Sequence, residues 1–461
     1  QQDIDKTKVT GSFDYDPITY LLLHNKFWKS KEEDLQEIVY LQQNIGKQLP
    51  NFNYISSNGN ILHNCGTTIV QELAYSLAIA NEYIVFATEK GLSIDDIAPH
   101  IQFTFSIASN YFMEIAKLRV GRMLWASIVE AYNPSVAEAG KINCYSISSS
   151  WNKTMYDSNV NMLRATTEGM AAAIGGTDAI LLAPFDETYK DADSFSQRLA
   201  KNIQVILKEE AHFDKVNDPA AGSYYIENLT HSMANEVWNL FLEIENTGGL
   251  IQSAMQGKIK EAVEASCQKR NMDIATRKIV LLGTNQYPNT NESMIDKISL
   301  KPIATYKGLQ PYRGAIPFEE LRLATEKWAK KHGRPKVFLF KIGNLAMRQA
   351  RAGFISNFFG CAGYEIIETP GYKTAEEGLK DVKYSNPHIV VICSSDEEYD
   401  TFAPEITEKI KSFNPSIRSV VAGNPVDSIE KLKTAGIDDF IHVRLNVLET
   451  LRKYNKLLGI E

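Results

Sequence analysis

The chain has 461 residues, of which 44% are apolar, 23% charged and 10% aromatic, a composition typical of globular proteins with full-sized cores. Its formal net charge of −7 excludes the broad basic face that a nucleic-acid-binding protein needs. No apolar run approaches the roughly 20 residues that cross a bilayer, so the sequence predicts no membrane span. At roughly 100–200 residues per domain, the length favours two to four domains.

Cysteine and histidine usage argues against disulfides and metal sites. An odd, scattered set of thiols favours reduced cysteines in a cytoplasmic protein. No two histidines have the spacing of a zinc site, so we expect no metal. The chain starts Gln-Gln-Asp with neither a signal peptide nor a start Met, and we expect its N-terminus to be truncated. The cysteines stand singly in the sequence: Cys65, Cys144, Cys267, Cys361 and Cys393.

Residues 1–284 alternate short apolar segments with longer helical patterns. The segments lack period-two alternation, which is typical of parallel strands buried on both faces. Six β–α steps account for most of an eight-fold array, so we predict the (β/α) barrel portion of a TIM barrel that lacks its first strands. The predicted strands are Lys8–Asp14, Phe52–Ser56, Ile101–Ser106, Ile142–Ser146, Ala179–Pro184 and Ile279–Thr284.

Residues 285–335 are predicted to form a linker, because prolines interrupt a polar stretch before one short helix at Pro317–Lys331. Residues 336–461 then alternate five strands with five helices. This pattern is typical of a flavodoxin-like, doubly wound α/β domain. The predicted strands are Val337–Ile342, Glu365–Glu368, Ile389–Cys393, Ser419–Gly423 and Phe440–Val443.

In the first region, three polar segments could carry chemistry. In the loop Ser57–Gly66, His63 and Cys65 could act as base and nucleophile, but residues two apart at a helix start diverge, which favours structural roles. The hydroxyl-rich strand end Asn143–Trp151 could bind a ligand or satisfy free helix amides, and both interpretations stay open. Asp218–Tyr225 is interpreted as a structural turn between helices.

In the C-terminal region, two turns follow strands. Gly343–Arg351 contains a single glycine, so a dinucleotide fingerprint is excluded. Its Arg348 and Arg351 could meet an acidic partner or form a solvated helix face. Ser394–Glu398 is predicted to be a helix cap with acids in the first turn, where they offset the helix dipole. A receiver domain would also need acidic residues after the first strand of its sheet. Residues 343–347, which follow that strand here, contain none, and this argues against a receiver domain.

Several long segments closely resemble methylmalonyl-CoA mutases. The predicted order of a barrel, a linker and an α/β domain also matches that family, so the resemblance implies a cobalamin-binding type of C-terminal domain. The similarity extends over nearly the whole chain. The segments that carry it are Ala74–Ile84, Phe112–Trp125, Trp151–Arg164, Asp218–Glu227 and Glu245–Gly249.

The sequence departs from the catalytic chains of this family at two substrate motifs. A Gly-Tyr-His triplet that flanks the substrate is replaced by Gly59-Asn60-Ile61, and isoleucine donates neither a proton nor a hydrogen bond. An Arg-Thr-His-Ser strand end that holds the acyl-CoA is replaced by Asn143-Cys144-Tyr145-Ser146, which removes the arginine. The resemblance therefore implies that these catalytic functions are absent.

The cobalamin motif is altered as well. The family's Asp-x-His-x-x-Gly supplies the cobalt-ligating His and the Asp that orients it. Ser394-Ser395 matches a Ser-Ser pair of the family. The family's paired glycines correspond to Gly423-Asn424 in this chain, and the Asn424 side chain would hinder a ligand from approaching the backbone closely. Two gapless registers place either Ala346, Arg348 and Arg351 or Leu345, Met347 and Ala350 at the three motif positions.

The resemblance thus predicts the small subunit of a heterodimeric methylmalonyl-CoA mutase, with no catalytic, cofactor-binding or metal-binding residue in this chain. Adenosylcobalamin is expected on the partner, the large catalytic subunit, which interconverts (R)-methylmalonyl-CoA and succinyl-CoA. One alternative is an active cobalamin-dependent acyl-CoA mutase with non-standard ligation. Another is a regulatory module whose altered pocket binds a different ligand or an acidic partner through Arg348 and Arg351.

Overall fold

The structure is a computed structural model that describes residues 5–299 and 304–460. The described residues form two compact units. The first unit lies within Gln1–Lys153, Asn159–Arg270 and Ser299–Arg313, and the second within Thr154–Ser158, Asn271–Ile298 and Gly314–Glu461. The domain limits at residues 284 and 335 stay a prediction, since the contacts of the segment 285–335 divide between both units.

Among the described residues, the first unit contains six strands and most of eleven α-helices, the last of which ends in the second unit. The strands are β1 Gly11–Ser12, β2 Phe52–Asn53, β3 Ile55–Ser57, β4 Ile101–Ile107, β5 Asn143–Ser148 and β6 Ala179–Leu181. The helices are α1 Pro17–His24, α2 Lys31–Leu41, α3 Gly59–Asn64, α4 Ile69–Glu89, α5 Ile94–Ile97, α6 Tyr111–Glu130, α7 Val160–Ile174, α8 Ser194–Val205, α9 Tyr224–Asn246, α10 Gly249–Met255 and α11 Lys258–Ala275.

Four parallel strands form the main sheet of the first unit, in the order β3-β4-β5-β6. Neighbouring strands are consecutive in the chain and are connected through helices, which is the strand arrangement of a (β/α) barrel. Strand β4 is buried at all but one position, as its continuous apolar run predicts. The α/β fold class is confirmed, and no closed barrel is present among the described residues.

The predicted strand Ile279–Thr284 is wrong. The side chain of Asn285 forms hydrogen bonds with backbone groups that a strand would pair with a neighbouring strand. Its Oδ1 accepts from Leu281 N at 2.7 Å, and its Nδ2 donates to the carbonyl of Ile279 at 2.8 Å. Val280 is 47% exposed, so this apolar run is not a buried strand. Local side-chain hydrogen bonds compete here with sheet formation.

In the part of the second unit that the structure describes there are five strands and six further α-helices. The strands are β7 Lys336–Lys341, β8 Glu365–Ile367, β9 Ile389–Cys393, β10 Arg418–Ala422 and β11 Asp439–Ile441. The helices are α12 Ile316–His332, α13 Leu345–Gly360, α14 Ala375–Ser385, α15 Tyr399–Phe413, α16 Ile429–Thr434 and α17 Val447–Leu457.

These strands form one parallel sheet in the order β8-β7-β9-β10-β11, which is the flavodoxin-like order 2-1-3-4-5 and confirms the prediction. Alternate residues pack into separate cores on the two faces, with Val337 and Leu339 on one face and Phe338 and Phe340 on the other. In this fold, ligands enter a crevice at the carboxyl ends of the strands.

Candidate functional site

The carboxyl end of β3 leads into the loop in which the first substrate motif is altered. Asn60 lies within α3, and its Oδ1 accepts a hydrogen bond from Ser106 Oγ of β4 at 2.8 Å. A Cβ on Gly59 would overlap Ser76 Oγ, so α4 packs directly on this turn. The side chain of Asn60 thus joins two strand ends to each other.

The proposed base and nucleophile are not brought together. The Nδ1 of His63 is 3.1 Å from Glu72 Oε2, and its Nε2 has no hydrogen-bond partner among the described residues. Burial raises the pKa of the Cys65 thiol well above its ordinary value, so this side chain is a neutral thiol at physiological pH. The geometry therefore favours the structural interpretation of both residues.

A buried charge cluster that sequence reasoning missed lies below this loop. The Nζ of Lys117 is 2.7 Å from Glu114 Oε2 and 3.1 Å from Glu72 Oε2, and it donates to the carbonyl of Ser106. All three charged side chains are at most 3% exposed. Burial opposes ionisation of Glu72, but Lys117 and His63 outweigh it and hold its pKa below the ordinary value.

Burial raises the pKa of Glu114, so this carboxyl is the one closer to neutrality in the cluster. The Oε1 of Glu72 also accepts from Ser106 N at 2.8 Å. The cluster thus fixes the end of β4 to α4 and α6, and none of its charges faces solvent. The sequence signal for this cluster was the presence of Glu72, Glu114 and Lys117 among the apolar residues of two helical runs.

The hydroxyl-rich end of β5 is engaged within the protein. The Oγ of Ser146 donates to Thr177 Oγ1 at 2.9 Å, and Ser148 Oγ accepts from Ala183 N at 2.8 Å. The Cys144 thiol is fully buried, and burial raises its pKa to about 11. These contacts favour the interpretation in which the hydroxyls satisfy nearby polar groups of the protein.

An aromatic and cationic stack covers the same edge. The guanidinium of Arg270 lies 3.9 Å from the ring centroid of Trp151, and it donates to the carbonyl of Thr67 at 2.8 Å. Tyr312 packs edge-on against Trp151, while its backbone N–H donates to the carbonyl of Asn64 at 2.8 Å. Side chains of the first unit itself therefore fill this part of the carboxyl edge.

In the second unit, the carboxylate of Glu398 lies in the crevice between β7 and β9. It accepts from Asn344 N at 3.0 Å, from Ser394 Oγ at 2.7 Å and from Ser395 Oγ at 2.8 Å. These hydrogen bonds, led by that from Asn344 N, lower the pKa of Glu398 to about 2. A Cβ on Gly343 would overlap the same carboxylate. The crevice thus already holds an anion that the chain supplies.

Arg351 occupies the neighbouring part of the edge. Its Nη2 is 2.8 Å from Asp396 Oδ1, and its Nη1 donates to the Tyr399 hydroxyl at 2.9 Å and to the carbonyl of Ala422. A Cβ on Gly423 would overlap Nη1. The side chain is only 15% exposed, so Arg351 does not belong to a solvated helix face.

The other positions of the cobalamin motif present no imidazole. Leu345 is 63% exposed and Met347 is 38% exposed at the start of α13, while Arg348 donates to the carbonyl of Gly343 at 3.2 Å. His442, which sequence reasoning passed over, follows β11 and lines a cavity of about 510 Å³ beside Arg351. Burial lowers the pKa of His442, which favours its neutral form.

The described residues contain neither a candidate membrane span nor a candidate metal centre. No helix there is long and apolar enough to cross a membrane. Likewise, no group of three or more His, Cys, Asp or Glu side chains in residues 5–299 and 304–460 is arranged to hold a metal ion. The described cysteines are free thiols.

Comparison with known proteins places this geometry in a family. The family model for methylmalonyl-CoA mutase matches residues 1–309. The chain is 45% identical to the methylmalonyl-CoA mutase small subunit of Porphyromonas gingivalis, over 99% of this chain and 73% of that protein. It is 30% identical to the small subunit from Streptomyces virginiae, over 98% of this chain and 71% of that protein.

A further relative is the methylmalonyl-CoA mutase of Rhizobium meliloti, which is 34% identical over 65% of this chain and 42% of its own length. The two proteins named small subunit, by contrast, match this chain through both units. The chain therefore belongs to the methylmalonyl-CoA mutase family, and the predicted similarity to its small-subunit members is confirmed.

Proposed function

We propose that this chain is the non-catalytic small subunit of a heterodimeric methylmalonyl-CoA mutase. The large subunit interconverts (R)-methylmalonyl-CoA and succinyl-CoA with adenosylcobalamin, and this chain stabilises it without contributing a catalytic, cofactor-binding or metal-binding residue. The observation that carries the proposal is the crevice of the second unit, which Glu398 and Arg351 already occupy. The free thiols support a cytoplasmic location.

The residues of that crevice do not fit a cobalamin. A cobalt ligand requires an imidazole with an oriented ring, and both registers of the motif place an aliphatic, thioether or guanidinium side chain there. The glycine surfaces over which a ligand would lie are covered, Gly343 by Glu398 and Gly423 by Arg351. Expelling Glu398 would also remove the acceptor of the Ser394 and Ser395 hydroxyls, and a buried hydroxyl left without a partner costs about 1–3 kcal/mol.

The first unit supports the same proposal from the substrate side. Ile61 and Cys144 stand at positions of the two altered substrate motifs, and neither offers a charged or strongly hydrogen-bonding group. The cation Arg270 at this edge stacks on Trp151 and donates to a backbone carbonyl, so it is already engaged within the protein. An acyl-CoA would have to displace these contacts before it met a binding group.

The first experiment is a titration of the purified full chain with adenosylcobalamin, followed by visible absorbance. We expect no saturable spectral change up to about 100 μM cofactor. The large subunit, titrated in parallel, should show saturable binding and serves as the positive control. Circular dichroism of the same sample establishes that the chain is folded during the titration.

The alternative with non-standard cobalt ligation predicts the opposite result. His442 is the imidazole that this alternative would use, since it lines the cavity beside Arg351. Micromolar binding by the wild-type chain, lost in His442→Ala, would contradict the non-catalytic proposal. Reconstitution tests the subunit role itself: mixing the chain with the large subunit should give a 1:1 complex with higher thermal stability than the large subunit alone.

A further inference from the structure

Two thiols of the first unit lie where α11 packs on the turn after α3, and the proposed function uses neither of them. Gly66 follows Cys65 and has a φ of +104°, in the left-handed region that glycine adopts readily. A Cβ on Gly66 would lie 2.6 Å from the Cβ of Cys267, and 3.0 Å from both its Cα and its Sγ. The backbone of α11 therefore packs directly against the residue next to Cys65.

A second contact fixes the same face of α11 to this turn. Arg270 lies three residues after Cys267, on the same side of the helix, and its guanidinium donates to the carbonyl of Thr67 at 2.8 Å. Burial and, after it, the nearby Cys267 raise the pKa of the Cys65 thiol. The packing at the turn and this electrostatic influence both indicate that the two thiols are close neighbours.

A disulfide between Cys65 and Cys267 needs little movement of the backbone. Consecutive Cα atoms are about 3.8 Å apart, so the contact at Gly66 brings the Cα atoms of the two cysteines to within about 8 Å of each other. A disulfide joins Cα atoms that are about 4.4–6.8 Å apart. A displacement of the turn by at most about 2 Å is therefore sufficient.

The two thiols differ in exposure, and this difference sets the order in which they react. Cys267 is only half-buried, so a small oxidant can reach it, whereas Cys65 is 4% exposed. A buried, neutral thiol reacts slowly with an oxidant in solution. Cys267 is therefore the thiol that is oxidised first, and Cys65 is the thiol that reacts with it afterwards.

We propose that Cys65 and Cys267 form a reversible disulfide that fixes α11 to the turn after α3 when the chain is exposed to a hydroperoxide. Disulfides in cytoplasmic proteins are typically of this transient, redox-sensing kind. The disulfide goes beyond the proposed function, and its formation does not depend on the subunit role.

The oxidation proceeds in two balanced steps. The Cys267 sulfur attacks hydrogen peroxide, the O–O bond breaks, one oxygen leaves as water with the thiol proton, and the other stays on sulfur as a sulfenic acid. The Cys65 thiol then attacks that sulfur, the S–S bond forms, and the second oxygen leaves as water. The two thiols lose two electrons in total, and the peroxide gains two. A thiol reductant returns both side chains to the reduced form.

Peptide mapping of the full-length chain tests this disulfide. The folded, reduced protein is exposed to excess hydrogen peroxide, alkylated while it is unfolded, and digested with trypsin without a reductant. Free thiols should fall from five to three, and the peptides that contain Cys65 and Cys267 should be joined until dithiothreitol separates them. The Tm of the oxidised chain should be roughly 3 °C or more above that of the reduced chain, because the cross-link constrains the unfolded state.

Three variants separate the two steps. In Cys65→Ala the oxidation of Cys267 should stop at the sulfenic acid, so labelling by dimedone should be at least about tenfold stronger than in the wild type. Cys267→Ser should keep its remaining thiols and show no rise in Tm. Cys144→Ala is the matched control and should still form the disulfide, because Cys144 lies in the same unit and is buried to the same extent as Cys65.

Any other product from the wild-type chain would overturn the proposal. Such products are five intact thiols, a sulfinic acid on Cys267 beside an unmodified Cys65, a disulfide with another cysteine, and a disulfide between two chains, which gel electrophoresis without reductant detects. An unchanged Tm in the cross-linked chain would refute the fixing of α11. Binding of the large subunit is measured on the reduced chain, so failure of the subunit role is recognised separately.

Discussion

Replacing Glu398 by glutamine tests whether the crevice of the second unit is closed by its own carboxylate. Glutamine keeps the size of the side chain but removes the charge that accepts from Asn344 N, Ser394 Oγ and Ser395 Oγ. Charge-assisted hydrogen bonds are about twice as strong as neutral ones. We therefore expect Glu398→Gln to lower the free energy of unfolding and to loosen the start of α13.

The size of this effect follows from the pKa of Glu398. A fall of the pKa from its ordinary value of 4.5 to about 2 corresponds to about 3 kcal/mol if all of it reaches the folded state. Because the carboxylate lies near solvent, screening reduces this to about 1–2 kcal/mol. The folded pKa is depressed, so the contribution is present above about pH 4.5 and is lost as the pH falls toward 2.

Urea unfolding followed by circular dichroism measures the difference between wild type and variant at pH 7, 4.5 and 3. The difference should be about 1–2 kcal/mol at pH 7 and should fall to under half of that at pH 3. Glu397→Gln is the matched control, because Glu397 is the exposed neighbouring carboxylate. Equal stability of the two variants, or a difference that does not change with pH, would refute the reasoning.

Two further predictions concern buried charges of the first unit. Lys117→Met should lower the free energy of unfolding by about 3–5 kcal/mol, because it leaves Glu72 and Glu114 buried without their cation. Lys90→Met, which removes an exposed ion pair, should cost less than about 1 kcal/mol in the same urea assay. Burial raises the pKa of Glu187 to about 7, so the wild type should lose about 1–3 kcal/mol of stability between about pH 4.5 and 7. Glu187→Gln should abolish that loss, which urea unfolding at the two pH values checks.

Local sequence patterns predicted most of the second unit. Strand β9 begins and ends at the predicted residues, Ile389 and Cys393, because five consecutive apolar side chains pack alternately into two cores. The failed strand Ile279–Thr284 has a similar apolar run. Its outcome depends on Asn285, whose amide satisfies the nearby backbone groups more directly than a neighbouring strand would. Composition and periodicity do not report such a competition.

The contacts that define the site are long-range, and spacing in the sequence does not reveal them. Ser394–Glu398 was predicted as a helix cap with acids in the first turn, but α15 begins at Tyr399, and the Glu398 carboxylate binds Asn344 54 residues away. The sequence left two interpretations of Arg351 open, a solvated helix face and contact with an acidic partner. The structure buries it against a carboxylate, a hydroxyl and a carbonyl of its own unit.

A parallel sheet that binds no ligand must satisfy the polar groups at its carboxyl edge in another way. In the second unit, Glu398 accepts from the amide that begins α13, and Arg351 donates to the carbonyl that ends β10. In the first unit, the hydroxyl of Ser148 at the end of β5 accepts from Ala183 N, so the same principle acts at both sheets. A cobalt-ligating histidine introduced at Met347 would therefore meet an occupied crevice. If this chain binds no cofactor, as we propose, we expect that a cofactor site would also require removal of the Glu398 and Arg351 side chains.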